Sequence, residues 1–203
     1  MPWTAVIPLK AEPLRKSRLS PAIDLARRIA LSEELYRHVA ACIVQSGMFA
    51  DVITLSPSSP SADVPVRWWP DEGGLINAAL ARVREAIPGR LMVINADLPL
   101  LQASDLAALA AAAEIGRCAV AADRHALGTN AVALLPDVSF CFSFGPDSLD
   151  AHLRSAPGTA RVVERTGLAY DIDTMADIEA ILHLACRLPP GVARCLGTLE
   201  RCS

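Results

Sequence analysis

A chain of 203 residues, 52% of them hydrophobic and only 20% charged, is long enough for one domain with a sizeable core and too apolar to stay disordered. Its net charge of -3 gives no basic excess, which argues against nucleic acid as the main partner, since phosphate-backbone affinity needs clustered Lys and Arg. MPWTAVIPLKAEP carries no secretion signal, and every apolar stretch is interrupted by charge before it could span a bilayer, so a soluble cytoplasmic protein without a membrane partner is expected.

In chain order, TAVIPL (4–9) reads as a first buried strand, followed by a Lys/Arg-rich loop. Ser20-Pro21 is the expected cap and first residue of a helix whose apolar face is Ile23, Ile29, Leu35, Val39 and Ile43, with one break, closed by Gly47. DVITLSP (51–57) is a second strand and PSSPSAD a loop. VRWW is a short third strand. Gly73-Gly74 then leads into the helical run LINAALARVREAI. RLMVINA (90–96) is a buried strand ending at DLPLL, and Ser104-Asp105 starts an Ala-rich helix. CAVAAD and NAVALLP are strands, and a short helix spans Ser148 to Ser155. YDIDT (170–174) reads as a short buried strand, followed by a helix to about Arg187. Residues 1–187 are thus the domain, and 188–203 a loose tail or added docking segment.

Strands alternating with helices imply an α/β fold with a mainly parallel, mixed sheet and helices on both faces. The six cysteines show no CxxC spacing and sit partly in apolar runs, which suggests buried reduced thiols. Trp68-Trp69 suits core or subunit-contact packing, although it could stack on a base. None of the four histidines is expected to be catalytic.

In such sheets the carboxyl ends of strands line the ligand crevice. Lys10, Arg15, Lys16 and Arg18 fall on the loop after the first strand, where a polyphosphate is the natural guest and a solvated loop the plain alternative. Asp97 follows a buried strand. Asp171 and Asp173, two apart, would point to one face of a strand. Capping by Thr174 with Asp177 accounts for part of this pattern but not for Asp171. Three carboxylates at strand ends suit a hard cation, with magnesium the usual partner of phosphates. Pairing of one Asp with Arg is the alternative. Gly128-Thr129-Asn130, and Gly145 with Ser148, offer N–H groups and hydroxyls that can hold an anion, or act simply as turns and caps.

In order, VIPLK…RKSRLS, GGLINAAL, NADLPLL, ADR…GTNAVALL, FGPDS…AH and DIDT resemble the phospholactate guanylyltransferase family, the CofC-type enzymes of deazaflavin coenzyme F-420 biosynthesis. The resemblance runs from about Val6 to Ile181. It implies a nucleotide-diphospho-sugar-transferase-like (GT-A type) fold, GTP as donor, Mg2+ as cofactor, a homodimer, and 2-phospho-L-lactate, phosphoenolpyruvate or 3-phosphoglycerate as acceptor. It places Asp97, Asp171 and Asp173 at metal-ligand positions and Thr129, Gly145 and Ser148 at the acceptor. Lys10, Lys16 and Arg18 fall at the nucleotide as catalytic cations, with Asn77 beside it. Asp147 stands where the family has a small residue, and its carboxylate would repel an anionic acceptor unless it faces away or binds metal. A molybdopterin guanylyltransferase would carry a Gly-rich loop where LKAEPLRKSRL stands, and a glycosyltransferase a DxD at a central strand end. A catalytically inert interaction module would not need three metal-type aspartates.

Overall fold

The apolar runs become strands because both of their faces are covered. The structure, a computed structural model, describes residues 2–60, 65–71 and 75–200. Within them β1 (Trp3–Pro8), β2 (Phe49–Ser56), β3 (Arg67–Pro70), β4 (Arg90–Ile94), β5 (Cys118–Ala122), β6 (Thr129–Leu134) and β7 (Arg161–Val163) form one sheet, ordered β3-β2-β1-β4-β6-β5-β7. β5 and β6 are buried at every position, as a doubly covered sheet requires. Pairing is parallel except at β6, which runs antiparallel to β4 and β5. The mixed, mainly parallel sheet expected from the sequence is therefore present.

Seven helices flank it among the described residues: α1 (Leu25–Gln45), α2 (Ile76–Ala86), α3 (Ala103–Gly116), α4 (Ser148–Ser155), α5 (Thr166–Ala169), α6 (Met175–Leu182) and α7 (Pro190–Glu200). The two-residue period of the strands sorts the core. Ala5, Ile7, Met92 and Ile94 face Tyr36, Val39 and Ile43 of α1 and Leu106 and Leu109 of α3. Val6, Leu91, Val93 and Val132 face the opposite way, against Leu80 and Val83 of α2 and Phe142.

Several boundaries differ from the sequence reading. α1 starts at Leu25, where Asp24 accepts a bond from the Arg27 N–H at 2.9 Å, rather than at Ser20-Pro21. Leu19 and Ile23 are both buried, and the Ile23 N–H bonds to the Leu19 carbonyl, so the chain between them is held in turns. The helix then runs unbroken to Gln45, and Gly47 follows at φ +66°. YDIDT is not a strand: residues 170–173 are irregular, and the Ile172 N–H bonds to the Asp97 carbonyl at 3.3 Å. The helix after it ends at Leu182, with a 3-10 turn at Ala185–Arg187. The segment from 188 is not loose. Val192 and Leu196 of α7 are buried with Leu31 and Leu35 of α1 and Ile178 and Ile181 of α6.

Cys42, Cys118, Cys141, Cys186 and Cys195 are not joined in disulfides, but Cys141 and Cys186 are exposed, against the expectation of burial. Cys202, Gly73-Gly74 and part of PSSPSAD lie outside the described residues. Among the described helices, none is long and apolar enough to cross a membrane.

Candidate active site

Parallel strands deliver their carboxyl ends to one edge of the sheet. β1 ends there at Pro8 and β4 at Ile94. Because β6 is reversed, its first residues arrive at the same edge: Ala122 pairs with Thr129, Ile94 with Ala131, and the Asn95 N–H donates to the Asn130 carbonyl at 2.9 Å. The loop after β1, the turn after β4, the start of β6 and the stretch before α6 therefore meet.

Asp97, Asp171 and Asp173 each direct one carboxylate oxygen into this junction, and those oxygens all lie within 4.8 Å of one another. Lys16 enters the cluster from the β1 loop. Its Nζ donates to Asp97 Oδ2 at 2.6 Å and to Asp173 Oδ1 at 3.1 Å, and its side chain is only 6% exposed. Lys16 has φ +52°, a conformation uncommon outside glycine, which collects at functional sites. Burial pulls its ammonium pKa down, but Asp97 and Asp173 outweigh that and hold it above its ordinary value. Burial likewise pushes the Asp173 carboxyl up, yet Lys16, with Arg18 and Lys10 behind it, holds it below the usual range. Arg18 Nη1 lies 3.5 Å from Asp173 Oδ2.

Asp171 is left out of this compensation. Burial first, and then the charge of Asp97, pushes its carboxyl up to about 7, although Asn130 Nδ2 donates to its Oδ1 at 3.2 Å. Asp97 Oδ1 is buried with no hydrogen-bond partner. A buried orphan oxygen and an uncompensated carboxylate mark a deficit of positive charge. The donor set is all oxygen, at a spacing that one ion with bonds of about 2.0–2.6 Å can bridge, so these residues fit a hard divalent cation.

The loop carrying Asp173 is tied down from below. Asp177 Oδ2 accepts from the N–H groups of Asp173 (3.0 Å) and Thr174 (2.7 Å), while Arg124 Nη2 donates to its Oδ1 at 2.6 Å. Thr174 and Asp177 form the expected capping box.

Beside the acidic cluster lies a neutral one. The Thr129 N–H donates to Ser148 Oγ at 2.9 Å. Buried His152 places Nδ1 2.9 Å from Thr129 Oγ1, and its Nε2 accepts from the Ser143 N–H at 2.9 Å. Burial pushes its imidazole down to about 4, so the ring is neutral near pH 7. Phe140 stacks on it at 5.2 Å and Phe144 meets it edge-on at 4.8 Å. Gly145 follows at φ +144°, which L side chains rarely adopt. Asp147 takes φ +53° and is exposed, with no side-chain cap on α4.

The family described as "Guanylyl transferase CofC like" matches residues 3–186. The chain belongs to this CofC-like guanylyltransferase family. Its relatives include phosphoenolpyruvate guanylyltransferases of Rubrobacter xylanophilus, 35% identical over 186 residues (86% of this chain, 90% of the relative), and of Chloroflexus aurantiacus, 33% identical over 181 residues (83% and 88%). Among solved structures, a Desulfovibrio desulfuricans protein described as a nucleotide-diphospho-sugar transferase matches with a TM-score of 0.75 at 14% identity, covering 98% of this chain and 96% of that one. The 2-C-methyl-D-erythritol 4-phosphate cytidylyltransferase of Thermus thermophilus matches with a TM-score of 0.52 at 17% identity, covering 91% and 98%. These structures share the nucleotide-diphospho-sugar-transferase-like fold. The family match ends at residue 186, before α7, whose Val192 and Leu196 pack against α1 and α6.

Within this CofC-like frame the sequence-selected residues fall into two groups. Asp97, Asp171, Asp173, Lys16 and Arg18 share the acidic junction, with exposed Lys10 near enough to bias Asp173. Thr129 and Ser148 bond directly, with Gly145 three residues before Ser148. Asn77, expected beside the nucleotide, clasps the loop before Gly145: its Oδ1 accepts from the Phe144 N–H (2.8 Å) and its Nδ2 donates to the Phe144 carbonyl (3.1 Å). Arg15 likewise turns inward, its Nε bonded to the Lys10 carbonyl at 2.8 Å. Sequence reasoning missed His152 and the role of Asn130, which bonds both Asp171 and the Leu168 carbonyl. Two polar residues inside apolar surroundings were the available signal.

Proposed function

We propose that this protein transfers GMP from GTP to a phosphate oxygen of a small phosphorylated acid, releasing pyrophosphate, as a step in deazaflavin coenzyme F-420 biosynthesis. The acceptor class is a phosphate beside a carboxylate: 2-phospho-L-lactate, phosphoenolpyruvate or 3-phosphoglycerate. The relatives named phosphoenolpyruvate guanylyltransferase support this reading. The observation that carries it is the junction at Asn130, whose side chain touches Asp171 while the preceding residue, Thr129, bonds Ser148. A cation-seeking cluster and an anion-accepting one are thus adjacent.

The attacking group is an acceptor phosphate oxygen, already ionised because its second pKa is about 6. It forms a bond to the α-phosphorus of GTP while the bond from that phosphorus to the bridging oxygen breaks, and the electron pair leaves on pyrophosphate. No side chain need remove a proton, and both nitrogens of His152 are engaged elsewhere. Lys10 and Arg18, exposed at the rim, meet the polyphosphate, and Lys16 fixes Asp97 and Asp173. Magnesium, which Asp97, Asp171 and Asp173 would hold, supplies neutralising charge between two anions that otherwise repel. Thr129, Gly145 and Ser148 orient the acceptor.

The test is incubation with labelled GTP and magnesium plus each acid in turn. One acid should release pyrophosphate and yield the guanylylated product. Release with none of them, or equal release without any acid, would refute the reading.

A further inference from the structure

We infer that His152 is a positioning residue of the acceptor subsite: its Nδ1–H fixes the Thr129 hydroxyl so that the hydroxyl proton is presented to the anionic end of the phosphorylated acid. This rests on the acceptor reading above. The argument follows the protons. The Ser143 N–H is a donor, so Nε2, at 2.9 Å, must accept. A neutral imidazole then carries its proton on Nδ1. Nδ1 therefore donates to Thr129 Oγ1, 2.9 Å away, and the hydroxyl proton of Thr129 must point elsewhere.

Ser148 is prepared in the same way, since its Oγ accepts the Thr129 N–H and its own proton is left over. Among the described residues neither hydroxyl proton has an acceptor, although Thr129 is 4% and Ser148 2% exposed. Buried hydroxyl protons without acceptors need an incoming one. Two neutral donors held on adjacent elements, the start of β6 and the start of α4, make a subsite for a carboxylate or phosphate oxygen. A charged imidazole would set a second N–H against the Ser143 N–H, so the device requires the neutral ring. Phe140 and Phe144, packed on it, exclude the water that would stabilise charge.

Two substitutions separate the two ring nitrogens. In His152→Gln the amide oxygen can replace Nε2 as acceptor for Ser143, but nothing donates to Thr129. In His152→Asn the amide nitrogen can replace Nδ1 as donor. The expected result is an acceptor KM raised about tenfold or more in H152Q, with the KM for GTP unchanged, and most of that loss recovered in H152N; one oriented bond to an anion is of that size. Thr129→Val should match H152Q, and the double variant should be no worse than either single one. Should H152Q fail to fold, Thr129→Val carries the kinetic test, and nitrogen-resolved NMR of the wild-type imidazole should show a neutral ring protonated at Nδ1 from about pH 5.5 to 8. An unchanged acceptor KM in H152Q or Thr129→Val, additive losses in the double variant, or a ring protonated at Nε2 overturns the inference while leaving GMP transfer intact. A wild-type protein that releases no pyrophosphate with any of the three acids overturns the functional reading, and this one with it.

Discussion

The acidic junction and the hydroxyl pair lie side by side at one sheet edge, yet they are built on opposite principles. Around Asp171 charge is deliberately incomplete: Lys16 serves Asp97 and Asp173, the Asp171 carboxyl is pushed up to about 7, and Asp97 Oδ1 has no partner. Around Thr129 there is no formal charge, and each heavy atom is fixed by a neighbour. The first arrangement leaves buried negative charge short of a partner, which is costly. The second is rigid before any ligand arrives, and what it holds ready is direction rather than charge. A reaction between two anions needs both: neutralisation where they meet, and orientation of the one that attacks.

The sharpest way to break this contrast is Asp171→Asn. Removing the uncompensated carboxylate should lower turnover on the order of a thousandfold or more while circular dichroism shows an intact fold. Turnover retained at saturating magnesium would remove the acidic half from the comparison.

The neutral half has its own signature in pH. The His152 pKa is about 4 when folded against an ordinary 6.5, so as pH falls the unfolded chain takes the proton first. Its contribution is fully present above about pH 6.5 and is lost as pH drops towards 4, by roughly 3 kcal/mol. Denaturant melts of wild type and His152→Gln across that window should show a gap that narrows with acid; a constant gap would mean that the histidine only fills space.

Magnesium should separate the halves directly. At about a hundredfold above its Kd an ion adds roughly 2.7 kcal/mol, or a melting shift of about 5 °C or more for a domain of this size. The shift should vanish in Asp97→Asn and survive in Ser148→Ala. Equal shifts in both variants would place the ion elsewhere.

The smallest effect is expected from Ser148→Ala. Loss of one donor, with the Thr129 N–H left unpaired, should raise the acceptor KM about tenfold, leave GTP affinity unchanged and cost about 1–2 kcal/mol of stability. A fall in GTP affinity with an unchanged acceptor KM would merge the two regions into one site.

The sheet was legible because it needs little beyond composition. Runs such as RLMVI and CAVAA are apolar at every position, and only a doubly covered strand accepts that. The three aspartates were legible because carboxylates just beyond apolar runs have few bland explanations. The route by which they converge was not. Asp171 and Asp173 were expected to share a strand face, whereas residues 170–173 are irregular and are held by Asp177, Asn130 and the Asp97 carbonyl. The bonds of Asn77 to Phe144 were illegible for a related reason: an amide can bond backbone or ligand equally well, and only the packing of distant segments brings Phe144 within reach.

Local sequence by itself determined which segments are apolar enough to be strands, which residues can carry charge to their ends, and the capping box that opens α6. Tertiary structure alone decided that β6 runs backwards, which brings Thr129 to the carboxyl edge beside Asp97. It alone decided that Lys16 enters the acidic cluster and that His152 reaches Thr129, 23 residues away. Periodicity and propensity act over a few residues, whereas strand direction and the partner of a buried polar group are set by where distant segments come to pack.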